Sequence, residues 1–507
     1  MIPLTSPNRS IFLRVMDEVN AALERHFWLF AALLVVQVLV YAIEIDISTK
    51  MWFDELFTLH MAQQASPGEI VKASLGDVAP PLYPIIVHAI LPWVRQAALA
   101  VRLPATLGYC GMVVFVLAFC RRRLPAGYTF AAALLACNAF LYYATEGRSY
   151  GLVMGCAAAA LFFWQAAAEG SRRVLTIPLL AICLALMVAL HYYSIFFLVP
   201  LSVAEFVRWR RSGRLDVAVP AAMAPALLVL GLHYPIVVAS RQFQEHYTSQ
   251  AAWSQIPEVY LSYFVRMGLL PICVLVAFSL TSYRRRALWT GLKLPEWVAC
   301  VAFSLMPLFV VVVSKYTTHV FIPRYTLWTV PGIVVLVMAL LYAAVRGEIA
   351  VGVSMLALLV VLLVLQEMNG VHEKPGRLRD EAVRQELASL PDGPRPVVIA
   401  NCAVFLELSY YSAPPLRDRL IYPVSSSLEL GYLGTNTRSL AMSVLSRSSK
   451  LQIINYDEVL SAHPRFLLAA IPQDYLPQHL LKAGYRVIPI SSSSEAVLYD
   501  VESPTGK

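Results

Sequence analysis

Long apolar runs, repeated along most of the chain, are the feature that most restricts its fold. A segment needs about 20 mainly apolar residues to cross the ~30 Å hydrocarbon layer of a bilayer as an α-helix. Runs of about that length occur at residues 27–45, 100–120, 126–144, 150–169, 174–190, 192–207, 216–239, 259–281, 296–314, 323–345 and 348–366. Lipid offers no hydrogen-bond partners to the backbone, so such runs must be helical. The sequence therefore predicts an α-helical polytopic membrane protein with about 11 transmembrane helices.

Composition agrees with this class of protein. Hydrophobic residues make up 58% of the chain and charged residues 14%, and mean hydropathy is +0.63, which is unlike a soluble domain. The net charge of +8 does not indicate a nucleic-acid partner, because lysine and arginine lie in short clusters between the apolar runs. That distribution is typical of the positive-inside rule in membrane proteins. The eight cysteines show no metal-ligand spacing and predict no disulfide framework.

The basic clusters predict the topology. They are Arg121–Arg123, Arg172–Arg173, Arg208–Arg214, Arg284–Arg286 and Arg346. If each lies in the cytoplasm, the N-terminus is cytoplasmic and the remaining connections, including the loop 46–99, face outward. Leu82–Val94 cannot then be a full span without inverting every later segment, so we expect it to form a helix on the outer face.

A second domain is predicted at the C-terminus. Residues 371–507 are richer in Pro, Ser, Asp and Arg, with short apolar runs of strand length. Strands are predicted at Val397–Ala400, Arg465–Ile471 and Val487–Ile490, and helices at 403–411 and 478–483. We expect a membrane domain at 1–366, which includes the loop 46–99, and a small α/β domain outside the membrane at 367–507. No glycine-rich phosphate loop supports a nucleotide role.

Most of the unusual polar residues fall on the outer side of this topology. They are Asp54, Glu55, Asp77, Glu146, Arg148, His191, His319 and Arg324. Ionisable groups beside the hydrocarbon layer are costly to desolvate and often mark functional sites. Carboxylates, arginines and histidines in one pocket can bind a phosphate and activate a hydroxyl.

Structural explanations remain open for these residues. Asp54 also suits the N-cap of a helix, and Glu55 suits a solvated first turn. Glu146 and Arg148 suit an interfacial ion pair, and Arg324 suits a side chain that reaches the lipid headgroups.

The same is true of Asp77, which precedes Pro80-Pro81 and suits entry into a helix, and of His191, which suits a hydrogen-bonded structural role. A divalent metal ion is also left open. Asp54, Glu146 and His191 carry suitable donor atoms, but their spacing alone predicts no metal site.

Five motifs, in this order over residues 27–345, carry a resemblance to a known family. They are Phe53-Asp54-Glu55, Asp77…Pro80-Pro81-Leu82-Tyr83, Val101-Arg102-Leu103-Pro104, Glu146-Gly147-Arg148-Ser149-Tyr150 and Pro323-Arg324-Tyr325. The series resembles bacterial GT-C glycosyltransferases, in particular the protein-mannosyltransferase-like branch that includes the lipid A aminoarabinose transferases. Ala79 departs from the pattern, since related sequences often have a histidine just before the proline pair.

The resemblance implies a sugar donor linked to polyprenyl phosphate, with no certain cofactor. The acceptor would be a hydroxyl of lipopolysaccharide or another envelope glycan, of a lipid or of a protein. Transfer would occur on the periplasmic side of the bacterial inner membrane, with inversion at the sugar. The roles implied are Asp54 as general base with Glu55 at the catalytic centre; Arg148, Arg324, Tyr325 and His191 toward the donor phosphate; and Asp77, Glu146, Tyr83 and Tyr150 in support.

Two other functions stay open. A transporter or flippase of lipid-linked sugars would also use ionisable residues, but transporters place them near the bilayer midplane and often show internal repeats. Here the charges lie at one face and no repeated half is visible, which favours the enzyme. The second of these alternatives is a catalytically inactive homologue, because Ala79 interrupts one motif.

Overall fold

The computed structural model describes residues 11–243, 246–283, 291–368, 395–493 and 496–504, together with residues 383 and 387. The basic cluster Arg284–Arg286 and most of residues 369–394, at the start of the predicted C-terminal domain, lie outside the described residues. The chain divides into two compact units. The first unit comprises residues 1–47, 102–234 and 251–371, and the second comprises 48–101, 235–250 and 372–507. The predicted domain boundary at residues 366 and 367 stays a prediction.

Helices dominate the first two thirds of the chain. The α-helices are α1 (Ile11–Arg25), α2 (Phe27–Ser48), α3 (Phe53–Ala62), α4 (Pro67–Ser74), α5 (Leu82–Ile90), α6 (Ala97–Arg121), α7 (Ala126–Phe140), α8 (Tyr150–Ala168), α9 (Arg173–Leu190), α10 (Leu198–Ser212), α11 (Ala218–Ala221), α12 (Ala224–Leu232), α13 (Tyr234–Ala239), α14 (Gln255–Arg266), α15 (Leu270–Tyr283), α16 (Leu294–Tyr316), α17 (Val330–Ala344) and α18 (Ile349–Met368). Short 3-10 helices are Leu141–Ala144, Tyr192–Phe197, Ser240–Phe243 and Pro323–Thr329.

The described residues contain eight helical segments that are long and apolar enough to cross a membrane, or up to ten if two bent pairs of helices are counted as single spans. The eight are α2, α6, Ala126–Ala144, α8, α9, α16, Pro323–Ala344 and Ile349–Gln366. This confirms an α-helical multi-pass membrane protein. The number is below the predicted 11 because residues 192–207 are not among the spans and because the predicted spans 216–239 and 259–281 correspond to the two bent pairs. They begin in a 3-10 helix, and the following α10 carries Glu205 and Arg208.

Glycines bring α6 and α8 into close contact within the first unit. A Cβ atom added at Gly155 would lie 2.1 Å from the Gly108 carbonyl oxygen, and one at Gly151 would lie 2.4 Å from the Ala105 carbonyl oxygen. Small residues four apart let helix backbones approach closely in a membrane, where packing rather than water drives association. The glycines therefore fix the start of α8, next to the Glu146–Tyr150 turn.

The C-terminal part of the second unit is an α/β region. Its strands are β1 (Val397–Ile399), β2 (Leu420–Val424), β3 (Ile453–Asn455), β4 (Arg465–Ala470), β5 (Arg486–Ser492) and β6 (Val497–Glu502). Its helices are α19 (Cys402–Tyr411), α20 (Pro414–Arg417), α21 (Ser426–Leu433), α22 (Thr437–Ser448), α23 (Tyr456–Ala462) and α24 (Leu476–Lys482). The three predicted strands and two predicted helices are confirmed, whereas β2, β3 and β6 were not predicted.

The strands form one sheet in the order β3-β2-β1-β4-β6-β5. The first four are parallel, with Val397 opposite Leu420 and Leu467, and β6 pairs antiparallel with β4 and β5. Pro489 lies on the edge strand β5 beside an irregularity in register, as expected because proline cannot donate to the ladder. The buried core includes Val398 and Leu468.

The loop 46–99 supplies helices to the same unit. Helix α3 packs against α19 and α22. The Met51 backbone N–H donates to the Tyr411 hydroxyl at 2.7 Å, and Gln64 Nε2 donates to the Ser448 carbonyl at 2.6 Å. The predicted outer-face helix is α5, whose nine residues are too few to cross a bilayer. The first turn of α3 is thus held by the α/β region.

Candidate functional site

The predicted site residues fall into two groups, one in each unit. An acidic group in the second unit contains Asp54, Glu55, Asp77 and Tyr83. An arginine–aromatic group in the first unit contains Glu146, Arg148, Tyr150, His191, Arg324 and Tyr325.

Asp54 and Glu55 occupy the first turn of α3. The N-cap of this helix is Trp52, so the alternative in which Asp54 is the N-cap is wrong. Glu55 takes the capping role, since its Oε2 accepts the Trp52 backbone N–H at 3.3 Å. Glu55 is also fully buried, at 0% exposure, and is not the solvated first-turn carboxylate considered above. Asp54 is half-buried, and the helix dipole favours a negative charge at its position.

Asp77 and Tyr83 flank the proline pair in the second unit. Asp77 closes the turn after α4, with its N–H donating to the Ser74 carbonyl at 3.2 Å and its Oδ1 accepting the Val78 N–H at 2.7 Å. Tyr83 is buried in α5 and donates its hydroxyl to the Val101 carbonyl at 2.8 Å. These contacts give both residues a structural role in holding the loop.

The aromatic residues of the first unit surround His191. The ring centroids of Tyr325 and Tyr150 lie 5.0 and 5.7 Å from that of His191. Tyr193, which sequence reasoning did not select, joins them, with its ring 5.1 Å from Tyr325 and 5.9 Å from His191. Its only sequence signal is proximity to His191. Side chains from three distant parts of the chain therefore meet in one cluster.

Charged residues border this cluster. Arg324 Nη1 lies 3.7 Å from Glu146 Oε1, and the Arg324 guanidinium lies 5.6 Å from the centre of the Tyr150 ring. Glu146 is buried, whereas Arg324 keeps 25% of its side-chain surface exposed. The Arg148 backbone N–H donates to the Glu146 carbonyl at 2.6 Å, which closes the turn before α8. The turn and Arg324 are thus brought together, as the sequence predicts.

His191 follows the last residue of the span α9 and is neutral. Burial has the largest effect on its pKa, and burial together with the positive charges of Arg148 and Arg324 lowers the pKa to about 3. Its Nδ1 is buried without a hydrogen-bond partner. A buried polar atom of this kind needs an explanation, and a ligand contact is one. The positive charge of the cluster therefore belongs to its arginines.

Tyrosine hydroxyls fix the 3-10 helix that carries Arg324 and the segment that precedes it. Tyr263 is hydrogen-bonded to Thr326 at 2.9 Å, and Tyr193 is hydrogen-bonded to Thr318 at 2.6 Å and to the Val320 carbonyl. Pro323 begins the helix, at a position where its missing N–H would be unpaired in any case. Arg324 and Tyr325 are therefore held by a rigid support.

A metal centre has no support among the described residues. No group of three or more His, Cys, Asp or Glu side chains there is arranged to hold a metal ion. Asp54, Glu146 and His191, the donors considered from the sequence, do not form such a group.

No family model and no curated protein matches the sequence. Solved structures do match it. ArnT from Cupriavidus metallidurans in the apo state aligns with a TM-score of 0.56 at 12% identity, covering 93% of this chain and 98% of ArnT. The same protein bound to undecaprenyl phosphate aligns with a TM-score of 0.54 at 12% identity, covering 94% and 98%. Over nearly its whole length, the chain is therefore similar in fold to ArnT.

Proposed function

We propose that the protein is an integral-membrane glycosyltransferase. It moves a sugar from a polyprenyl-phosphate carrier to a hydroxyl of an envelope glycan, lipid or protein on the periplasmic side of the bacterial inner membrane. The observation that carries the proposal is the arginine–aromatic group, in which Arg324 and the neutral His191 meet the Glu146–Tyr150 turn. The likeness to ArnT, one structure of which holds undecaprenyl phosphate, supports a polyprenyl-linked donor.

Donor binding falls to the arginine–aromatic group. A guanidinium matches the geometry of a phosphate and binds it with paired, charge-assisted hydrogen bonds. Arg324 is partly exposed, so its guanidinium can reach a ligand while Tyr150 packs against it. The pKa of His191, lowered to about 3, leaves a neutral ring that exchanges a hydrogen bond with the donor without adding charge. Tyr325 completes the wall beside it.

Asp54 is the proposed general base. A hydroxyl is a weak nucleophile at neutral pH, and a positioned base accelerates its attack by roughly 10²–10⁴-fold. Asp54 would take the proton of the acceptor hydroxyl as its oxygen attacks the anomeric carbon. The carrier phosphate leaves as a stable anion, so no general acid is required. One displacement inverts the anomeric configuration.

Glu55 is proposed as a positioning residue. Its carboxylate is buried and bonded to the Trp52 backbone, which fixes the first turn of α3 on which Asp54 lies.

Purified protein tests the assignment of Asp54. The full chain in nanodiscs is mixed with a lipid extract that supplies lipid-linked sugars and acceptors, and released polyprenyl phosphate is measured by mass spectrometry. The Asp54→Asn variant should release polyprenyl phosphate at least about 100-fold more slowly than wild type. Glu69→Gln, an exposed carboxylate change in the same loop, is the matched control and should remain active. Full activity in Asp54→Asn would remove it as the base.

A further inference from the structure

A cavity in the second unit is lined by none of the residues to which a role has been assigned so far. Its volume is about 930 Å³, within the range of small-molecule sites. Four stretches of chain form its wall: the end of α3 with the following residues 63–65, Ser409 on α19, the segment that enters β2, and residues 447–452, which run from the end of α22 to β3. We call it the basic pocket.

Positive charge dominates the lining. Arg417, Arg447 and Lys450 line the pocket, against a single carboxylate, Asp418. Asp418 lies 3.5 Å from Arg417 Nε. Arg447 and Lys450 are exposed, and among the described residues neither makes an ion pair. A concave surface lined by one sign of charge attracts ligands of the opposite sign. The ligand of this pocket should therefore be an anion.

Hydrogen bonds hold the walls of the pocket together. Gln64 Nε2 donates to the Ser448 carbonyl at 2.6 Å and to the His60 carbonyl at 3.0 Å. Gln452 Nε2 donates to the Asp418 carbonyl at 2.8 Å. These bonds join wall segments from distant parts of the chain, so the pocket is preformed. A preformed site loses less entropy when it orders a ligand.

The neutral part of the lining suits a saccharide. Gln63 presents an amide group, which exchanges hydrogen bonds with sugar hydroxyls, whereas the Ser449 hydroxyl donates to the Leu445 carbonyl at 2.7 Å. His60 also lines the pocket, and its buried Nε2 has no hydrogen-bond partner. Burial lowers the pKa of His60 to about 4, so its ring is neutral at physiological pH.

The pocket and Asp54 share helix α3. Asp54 and His60 are six positions apart on this helix, which corresponds to about 9 Å along its axis. A saccharide anchored in the pocket through an anionic group can extend along α3 toward Asp54. This separation favours the acceptor over the donor as the ligand.

We propose that the basic pocket binds a saccharide that carries a phosphate or carboxylate group, and that this saccharide is the acceptor. The assignment of this saccharide as the acceptor rests on the proposed function, whereas the binding of an anionic saccharide does not depend on it. Arg447 and Lys450 hold the anionic group, and the Gln63 amide binds the sugar.

Direct binding tests the pocket without any transfer reaction. The full chain in nanodiscs of uncharged lipid is titrated with glucose 1-phosphate by calorimetry, and separately with glucose and with inorganic phosphate. Wild type should bind glucose 1-phosphate more tightly than glucose or inorganic phosphate. Arg447→Ala/Lys450→Ala should bind glucose 1-phosphate at least about tenfold more weakly than wild type, because a charge-assisted contact is lost. Lys482→Ala/Arg486→Ala removes two exposed charges that do not line the pocket and should bind like wild type.

Three results would overturn the proposal. One is equal binding by wild type and Arg447→Ala/Lys450→Ala. Another is inorganic phosphate that binds as tightly as glucose 1-phosphate, since the sugar would then contribute nothing. The third is displacement of glucose 1-phosphate by vesicles of phosphatidylglycerol at equal headgroup concentration, because the pocket would then be a lipid headgroup site.

A transfer assay tests the acceptor assignment separately. In Arg447→Ala/Lys450→Ala, the KM for the acceptor should rise about tenfold while the KM for the donor stays constant. Transfer with an unchanged acceptor KM would overturn the acceptor assignment and leave the proposed function intact. Absence of transfer by wild type would overturn the proposed function together with the acceptor assignment, whereas the calorimetry would still decide whether the pocket binds an anionic saccharide.

Discussion

Replacing Arg324 by alanine tests the proposed donor site. A charge-assisted hydrogen bond contributes about 1.5–3 kcal/mol, and about 1.4 kcal/mol corresponds to a tenfold change in affinity. Because 25% of the Arg324 side chain is exposed, water screens part of this energy. The lower half of that range corresponds to a rise in the donor KM of about 10- to 40-fold, which is the effect that we expect. The value of kcat should change little, since the contact to the phosphate exists before and during transfer.

Steady-state transfer at varied donor concentration measures this effect. Arg95→Ala, a change at an exposed arginine between α5 and α6, is the control and should leave the donor KM unchanged. The ion pair with Glu146 offers a purely structural explanation of Arg324, and Glu146→Gln separates the two. If Arg324 only neutralises Glu146, both variants lose thermal stability, the double variant loses no more, and the donor KM stays at the wild-type value. That pattern would refute the donor role.

Three further predictions concern stability. Gly155→Leu should lower the Tm measured in nanodiscs or prevent folding altogether, because even a Cβ atom would lie 2.1 Å from the Gly108 carbonyl oxygen. A Gly155→Leu protein with the Tm of wild type would contradict the close packing of α6 and α8. Arg123→Ala should destabilise the fold by about 3–5 kcal/mol, because the buried Glu296 carboxylate, 2.6 Å from Arg123 Nη2, loses this ion pair. Unfolding by denaturant measures the change in stability. A loss below about 1 kcal/mol would show that the ion pair contributes no more than one on the protein surface. Burial lowers the pKa of His60 to about 4 from an unfolded value of 6.5, so stability should fall as pH drops from 6.5 toward 4. The Tm values of wild type and His60→Gln, plotted against pH, should diverge over that window. Parallel plots would show that His60 does not contribute to the pH dependence of stability.

Residues placed between apolar runs were the part of the site that the sequence could predict. Glu146, Arg148 and Arg324 are charged groups beside membrane spans, where desolvation makes them conspicuous. Their meeting with His191 agrees with the predicted topology, in which all these connections lie on one side. Tyr193 was missed because a tyrosine near a membrane interface is common and carries no signal of its own.

Long-range contacts were beyond the reach of sequence patterns. The bond from Met51 to Tyr411 joins residues 360 positions apart, and no local periodicity encodes it. The basic pocket depends on a second long-range contact, the packing of α3 against α22. The transmembrane span predicted at 192–207 was wrong for a local reason, because hydropathy alone does not reveal the 3-10 helix Tyr192–Phe197 at its start. Strands β2 and β3 are short or interrupted by proline, which weakens their pattern.

The most direct test of the proposed activity is mass spectrometry of envelope glycolipids and glycans from cells that lack the gene, complemented with wild type or with Asp54→Asn. We predict that one glycan loses a sugar residue, that wild type restores it and that Asp54→Asn, expressed at the same level, does not. Unchanged glycans in the deletion strain would contradict the proposed transferase. A lipid-linked sugar that changes sides of the membrane, with full complementation by Asp54→Asn, would contradict it in favour of a transporter.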